Sequence, residues 1–444
     1  MNKKVAIAGA GITGLVSAFY LKKAGIDFRI FEKTDRCGGV IQSVSENGFI
    51  YETGPNTGTL SNIETTELFE DLSDYFELEL ADEKAEKRLI LKNGKWEELP
   101  SGLISGITTP LFTAADKLRL LGEPFRKAGK NPSESVAELV IRRMGKSFLD
   151  YAVDPFVSGI YAGDPYYLVT KYALPKLYDL EQKYGSFIGG AIKKAREPKS
   201  EAEKKVTKKI FSAKGGLSEI INAIVKNTGK ENIKFNADTE IQKKGNLFII
   251  DDEEYTDVIS TVNAGELPGL FPFLDKKILD DITSVKYAEV AEIAAGFNKW
   301  EGISLDAFGG LIPSKENKNV LGILFMSTLF SGRAPEEGAL LTFFAGGTKK
   351  MHLARMSEEE LLSILKPELA DLLGLSDFKP DLLKIFYHKK AIAQYGADSK
   401  KRTDAVKHLQ NEHKGLFLGG SIIDGVGMAD RIKQAKKIVS KISE

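Results

Sequence analysis

Val5-Ala6-Ile7-Ala8-Gly9-Ala10-Gly11-Ile12-Thr13-Gly14, followed by Glu32 after a second strand, is the stretch that decides the fold. Val5 to Ala8 is a short apolar run of the kind that forms a buried parallel strand. Gly9 permits a tight turn, Gly11 lets the main chain approach a pyrophosphate, and Gly14 lets the following helix pack closely on the sheet. Thr13 to Ala24 reads as that helix, with Leu15, Ala18, Phe19 and Leu21 apolar, and Gly25 stands where a C′ glycine is expected. Its N-terminus offers free N–H groups and a partial positive charge to a phosphate. Asp27 to Phe31 predicts the second strand, and Glu32 at its end can accept bonds from ribose hydroxyls. Strand, turn, helix, strand and acid all stand where dinucleotide binding needs them; the plainer alternative is an ordinary βαβ unit with a glycine turn. Glu32 argues against NADP, whose 2′-phosphate it would repel.

Asp35-Arg36-Cys37-Gly38-Gly39 comes next, ahead of the strand-like Val40-Ile41-Gln42-Ser43. A second glycine pair beside an arginine gives another close main-chain approach and a cation near the same pyrophosphate. In this the chain resembles the large flavoproteins of the amine oxidase type, which carry Arg-x-Gly-Gly, a signature that a plain nicotinamide dehydrogenase does not need. Glu52-Thr53-Gly54-Pro55-Asn56-Thr57 resembles the segment that passes beside the flavin ring in that superfamily. The resemblance implies FAD, with Gly9, Gly11, Gly14, Glu32, Arg36, Gly38, Gly39, Gly54, Pro55, Asn56 and Thr57 among the residues that hold it.

A chain of 444 residues is long enough for two or three domains with sizeable cores. Its 62 basic and 62 acidic side chains balance, so no net field attracts nucleic acid or an anionic membrane. The N-terminus enters the first strand without the apolar run of a signal peptide, and no apolar stretch is long enough to span a bilayer. Cys37 is the single cysteine, so no internal disulfide forms and a reducing cytoplasm suits the chain. Cys37 reads as a small residue tolerated between Arg36 and the glycines; a redox role is the alternative. The four histidines, at 352, 388, 408 and 413, stand in no metal-ligand or triad spacing and read as ordinary surface or loop residues, and no metal centre is expected.

Dinucleotide-type character returns near Gly215 to Ala264 and again from about Ala391. Lys214-Gly215-Gly216-Leu217 opens a helix, and Ile233-Lys234-Phe235 and Asp257 to Thr261 read as strands. Ile241 is a candidate contact on the adenine side of the cofactor, or else a core residue of a strand. Gly415 to Gly420 is an apolar strand ending in glycines, followed by Gly425-Val426-Gly427-Met428 and a helix. Such an arrangement aims N–H groups at the flavin pyrimidine edge, where reduction places negative charge. Gly420, Val426, Gly427 and Met428 therefore join the cofactor set; a polar helix cap is the alternative. Between these blocks lie helical, charged sequence from about Leu99 to Lys209 and strand-like sequence from about Val285 to Gly347. The fold expected is α/β: a discontinuous Rossmann-type FAD-binding domain (1–80, 205–270, 385–444), a mixed-sheet substrate domain (81–98, 271–384) and an inserted helical lobe (99–204).

The middle of the chain resembles one family, the oxygen-dependent porphyrinogen oxidases of haem synthesis. The resemblance rests on Arg142-Arg143-Met144-Gly145, on Asp154-Pro155-Phe156-Val157-Ser158-Gly159-Ile160-Tyr161-Ala162-Gly163-Asp164-Pro165, and on Leu180 to Ser186. Phe308 to Glu316 and Leu329-Phe330-Ser331-Gly332-Arg333-Ala334-Pro335 agree with it. One segment departs: Ala393 and Gly396-Ala397-Asp398 replace a proline before Gln394 and a histidine-bearing continuation, and a local loop change is expected there.

What the resemblance implies is a six-electron oxidation of a porphyrinogen, either protoporphyrinogen IX or coproporphyrinogen III, to its porphyrin. Hydride leaves a meso carbon for flavin N5, a pyrrole proton is lost, and oxygen reoxidises the flavin. No protein side chain is then the catalyst, since the cofactor carries the chemistry. Arg88 matches the position that pairs with a propionate, Leu311 and Phe330 match positions that sandwich the macrocycle, and Gly159 or Gly163 admits main chain close to the reacting carbon. The rival readings are a solvated arginine and core packing. The family also places a membrane-contacting lobe near the uncharged Leu99 to Ala115, consistent with peripheral attachment at the inner face of a membrane and transfer of product to a chelatase. The sequence itself shows no clear basic amphipathic helix there. Other functions on the same frame are an amine oxidase or desaturase, and a non-catalytic flavin-binding scaffold.

Overall fold

The computed structural model describes residues 3–198 and 200–444. Five parallel strands form one sheet in the spatial order Ile233–Lys234, Asp27–Phe31, Lys4–Ala8, Asp257–Ser260, Leu416–Leu418. The first strand is central, and the chain builds outward from it first to one side and then to the other. The switch point therefore lies between Lys4–Ala8 and Asp257–Ser260, where open α/β sheets bind ligands beyond their strand ends. Alternation along the first strand explains both faces. Val5 and Ile7 pack under the helices Ile12–Lys23, Ser218–Thr228 and Met428–Ser443. Ala6 and Ala8 point the other way, into a cluster with Phe248, Phe271, Leu279 and Leu409.

The helix Ile12–Lys23 begins one residue ahead of the expected Thr13, and Gly25 takes φ +69° just past its end. The strand Asp27–Phe31 falls where it was expected. The strand expected over Val40–Ser43 instead runs Ser43–Glu46, leaving Val40 exposed at the lip of the glycine loop.

Seven strands form a second, mixed sheet: Leu382–Ala393, Tyr287–Phe297, Ala339–Gly346, Val320–Phe325, Gly309–Leu311, Arg88–Lys92 and Lys95–Glu98. Its outer face carries Leu91, Ile293, Ile323, Leu341 and Phe343 against the helix Glu358–Leu373. Strand Leu382–Ala393 crosses the expected boundary at 384/385, and Phe271 to Val285 packs with the parallel sheet.

The inserted lobe is helical from Leu103–Thr108 to Phe187–Ala195. Its centre is a buried charge network. Arg143 pairs with Glu123, Arg142 bridges Glu134 and Glu181, and Ser186 donates to Glu123 Oε2 at 2.7 Å. Burial alone would raise the Glu123 carboxyl; Ser186, the Phe187 N–H and Arg143 outweigh it and hold it below the usual range. The Arg142-Arg143 pair therefore ties together the segments of the lobe that carry Glu123, Glu134 and Glu181. Among the described residues, no helix is long and apolar enough to cross a membrane.

Candidate active site

At the switch point the two glycine pairs meet. Gly38 N donates to Ala10 O at 2.9 Å, and Gly11 and Gly38 form a parallel bridge. A Cβ on Gly14 would sit 2.0 Å from Gly9 O, so only glycine lets the helix start there. A Cβ on Gly11 would meet nothing within 4 Å, which leaves open space in front of the turn. The Glu32 carboxylate accepts from Ala10 N at 2.7 Å and from Thr34 N and Oγ1 at 2.9 and 2.8 Å. A carboxylate has about four lone-pair sites, so one remains for a ribose hydroxyl. Arg36 lies over the loop, with Nη2 donating to Gly39 O at 2.6 Å. Cys37 is half-buried, and burial pushes its thiol up to about 11.

The C-terminal block joins the same mouth. Gly419 N donates to Ser260 O at 2.8 Å, Gly420 lies against Thr261, and Thr261 Oγ1 donates to Ala8 O at 3.0 Å. Arg431, which the sequence did not single out, sits beneath this loop and takes the carbonyls of Ile423, Asp424 and Gly425. Gly420 N in turn donates to Gln434 Oε1 at 2.8 Å, so both ends of the loop are tied to the helix Met428–Ser443. Gly427 N is held by Asp430 at 3.1 Å, Val426 packs on the helical lobe, and Met428 packs on the parallel-sheet core. Ile241 is fully buried among Ala6, Phe31 and Phe248, with its N–H given to Leu270 O. The structure places it in the core and not on a cavity wall.

Gly54 approaches Val40 so closely that a Cβ would lie 2.1 Å from Val40 O. Beside it Glu52 is fully buried, accepting from Ser43 Oγ, Leu217 N and Arg333 Nη1 at 2.6, 3.0 and 3.1 Å. Burial raises the Glu52 carboxyl above its usual range despite these partners. Asn56 turns away from the mouth. Its Nδ2 donates to Gly54 O and to Glu292 Oε1 at 2.9 and 2.6 Å, and its Oδ1 accepts from Thr342 Oγ1 at 3.0 Å. The segment Gly54–Thr57 is thus fastened to the inner face of the seven-stranded sheet, with Pro55 and Thr57 half-buried on either side of the fastening.

The register shows what else lies on that face. One row reads Arg88, Gly309, Leu324, Thr342, Ala294. The next reads Ile90, Leu311, Gly322, Phe344, Glu292. Leu311, Leu324 and Phe344 are half-buried, whereas side chains on the outer face are mostly closed. The lobe meets the row at Gly159, where a Cβ would stand 2.5 Å from Leu311 Cδ2. Gly159 is exposed; Gly163 is buried against Gln394. Arg88 is exposed at the rim, its guanidinium 5.3 Å from the Phe308 ring centre.

Phe330 departs from the expected sandwich. It is 2% exposed, enclosed with Phe49, Leu329 and Leu340, its ring centre 5.3 Å from the Arg333 guanidinium. Phe308, Phe344 and Phe386 are half-buried, and Phe344 and Phe386 flank Glu292 in the same row of the inner face. One histidine departs from expectation: His388 lies in the strand Leu382–Ala393, whereas His413 lies in a loop as expected. His388 Nε2 lies 3.0 Å from Glu292 Oε2, and His413 Nδ1 lies 3.0 Å from Lys243 Nζ; both are half-buried. At the departing segment, Asp398 accepts from Tyr167 OH at 3.0 Å and pairs with Arg402 at 2.8 Å, closing the changed loop against the lobe.

A glycine turn at a sheet switch point, a second glycine pair against it and a C-terminal glycine loop at the same mouth make a dinucleotide-binding frame. The model of the flavin containing amine oxidoreductases matches residues 12–439, and the chain belongs to that family. Protoporphyrinogen oxidase 2, chloroplastic/mitochondrial, of Arabidopsis thaliana is 32% identical over 98% of this chain and 93% of its own length. Coproporphyrinogen III oxidase of Bacillus subtilis is 25% identical over 99% and 97%. The crystal structure of a protein from Exiguobacterium sp. 255-15 superposes with a TM-score of 0.81 at 21% identity, covering 100% of this chain and 99% of that one, which shows the fold. The frame needs a flavin, and the open space before Gly11 and the spare acceptor on Glu32 fit one.

Proposed function

We propose that the chain is an FAD-dependent porphyrinogen oxidase with oxygen as the electron acceptor, converting protoporphyrinogen IX or coproporphyrinogen III to its porphyrin. The observation that carries this is the inner sheet face: Leu311, Leu324 and Phe344 half-open in register, Arg88 at the rim, and Gly54–Thr57 fastened beside them through Asn56. Full-length likeness to enzymes named for both substrates supports it. The ribose acceptor Glu32 and the double glycine turn favour a dinucleotide, FAD, over the mononucleotide.

In this reading Gly9, Gly11, Gly14, Gly38 and Gly39 admit the pyrophosphate, Glu32 takes the adenosine ribose, and Arg36 swings from Gly39 O to a phosphate. Gly54–Thr57 lines the ring, and the Gly420 to Met428 loop lies at its pyrimidine edge. A bound FAD supplies the two-electron acceptor for each of three rounds. Leu311 and Phe344 hold the macrocycle flat, Gly159 lets the lobe close over it, and Arg88 orients a propionate. The apolar walls exclude water while the pyrrole proton leaves. Three units follow: the parallel-sheet unit extended through residue 285, the seven-stranded sheet including 385–393, and the lobe 99–204.

The lobe exposes Ile104, Ile107, Leu118, Leu121 and Phe125 on and beside two short helices, with Lys117 and Arg119 among them. That is the basic amphipathic element the sequence did not reveal. It supports peripheral contact with the inner face of a membrane, where an apolar porphyrin could pass to a chelatase. Sedimentation with vesicles containing anionic lipid tests the contact.

The main test is anaerobic. The holoprotein is mixed with each porphyrinogen in turn, flavin bleaching is followed, and air is then admitted. Bleaching, reoxidation and fluorescent porphyrin are the expected results with at least one substrate. Bound flavin that neither porphyrinogen bleaches would sink the proposal and return the chain to an amine oxidase or a scaffold.

A further inference from the structure

A buried acid lies on the inner sheet face with no part in the reading above. Glu292 is 1% exposed in the middle strand, and all its recorded partners are polar: Asn56 Nδ2 at 2.6 Å and His388 Nε2 at 3.0 Å. Burial lifts its carboxyl above the usual range, while His388 and Asn56 pull it down. An acid in a sheet core costs stability unless its hydrogen bonds are complete, so its presence needs a reason other than packing.

The partners supply one. Asn56 spends both amide hydrogens and its oxygen on Gly54 O, Glu292 and Thr342, leaving nothing to offer a ligand. Its side chain is a fastening, and the strand residues Glu292 and Thr342 are the points of attachment. Removing Glu292 frees one amide hydrogen of a buried Asn56 and lets the Gly54–Thr57 backbone move. His388 grips the second carboxylate oxygen and is 23% exposed, so it fixes the carboxylate plane from the solvent side.

We propose that Glu292 is a positioning residue for the flavin: held by His388, it sets Asn56 and through it the main chain of Gly54–Thr57 beside the ring. The inference rests on the flavin site proposed above.

The test reads flavin binding without turnover. Apoprotein is reconstituted with FAD, and the dissociation constant and visible spectrum are recorded. Glu292→Leu removes a charge-assisted bond and raises the dissociation constant about tenfold or more, with shifted flavin bands. Glu292→Gln still accepts from Asn56 through its amide oxygen and restores the wild-type spectrum. Asn56→Ala, which removes all three bonds of the fastening, loses at least as much as Glu292→Leu, and the double variant loses no more than about twofold beyond Asn56→Ala, since Glu292 acts through Asn56. An unchanged spectrum and affinity in Glu292→Leu, or losses that add in the double variant, would overturn the proposal. Where Glu292→Leu does not fold, Thr342→Val removes the donor to Asn56 Oδ1 and must shift the bands in its place; an unshifted spectrum there overturns the proposal equally. Wild-type apoprotein that takes up no FAD would overturn the flavin site itself, a result distinct from either.

Discussion

The parallel sheet and the seven-stranded sheet hold their functional groups by opposite means. At the mouth of the parallel sheet, geometry excludes side chains: Gly14 has Gly9 O where its Cβ would be, and Gly54 has Val40 O. The tightest contacts there are main chain on main chain, and they fall between residues of neighbouring turns and strands, Gly14 on Gly9 and Gly54 on Val40. On the inner face of the mixed sheet, side chains from five strands line up across register, and Arg88, Leu311, Leu324, Phe344 and Glu292 have no sequence proximity. The two regions are joined by the Glu52–Arg333 pair and by Asn56. In the proposed reading, the first region receives the cofactor and the second faces the substrate.

The largest test of that contrast is Gly14→Val. A branched side chain cannot replace a contact already at 2.0 Å from a main-chain oxygen without moving the helix off the turn. The expected result is protein without flavin, read as loss of the absorbance of bound flavin in purified material, with a melting temperature lowered toward that of apoprotein. Full flavin content in this variant would break the claim that backbone geometry alone builds the first region.

A smaller effect is expected across the divide. Arg88→Ala removes a rim cation and touches no flavin residue; its recorded contacts are Glu86 O at 3.4 Å and the Phe308 ring. Loss of one charge-assisted bond to a propionate corresponds to a KM about tenfold higher. Flavin content and the rate of anaerobic bleaching at saturating substrate should hold. Steady-state kinetics with both porphyrinogens checks this, and an unchanged KM would remove Arg88 from the site.

The same contrast explains what could be read from the sequence. The first region was legible because its constraints are local: a glycine needed for a turn or a close approach stands next to the strand and helix that need it. The turn at Gly9 to Gly14, the helix after it and the strand ending before Glu32 lie within a residue of where the sequence puts them. The inner face was legible only where family blocks marked it, as at Gly159 and Leu311. Phe330 was misplaced because a motif says that an aromatic is present and not which way it turns at the end of the short helix Met326–Leu329. Phe344 and Glu292 were missed because period-two alternation assigns faces only after register is known. His388 looked like a surface histidine because nothing near it in sequence is acidic; its partner is Glu292, two strand positions away across the sheet.

The smallest effect belongs to Cys37, the one side chain inside the glycine mouth whose chemistry invites a redox role. Burial is the main cause of its thiol standing at about 11 against an ordinary 9.0, with Glu32 adding to the rise and Lys230 and Arg36 opposing it. A buried neutral thiol is a poor nucleophile. Cys37→Ser should therefore leave flavin content, spectrum and turnover unchanged at neutral pH. The sign of its pH dependence follows from the raised value. The folded state keeps the proton longer than the unfolded one, so Cys37 stabilises the fold below its ordinary value and loses that contribution as pH rises toward 11. Wild type and Cys37→Ser should melt with a constant offset up to about pH 9, and wild type should then fall faster toward about pH 11. Rapid alkylation of Cys37 at neutral pH, or a turnover loss in the serine variant, would show that the mouth uses the Cys37 thiol.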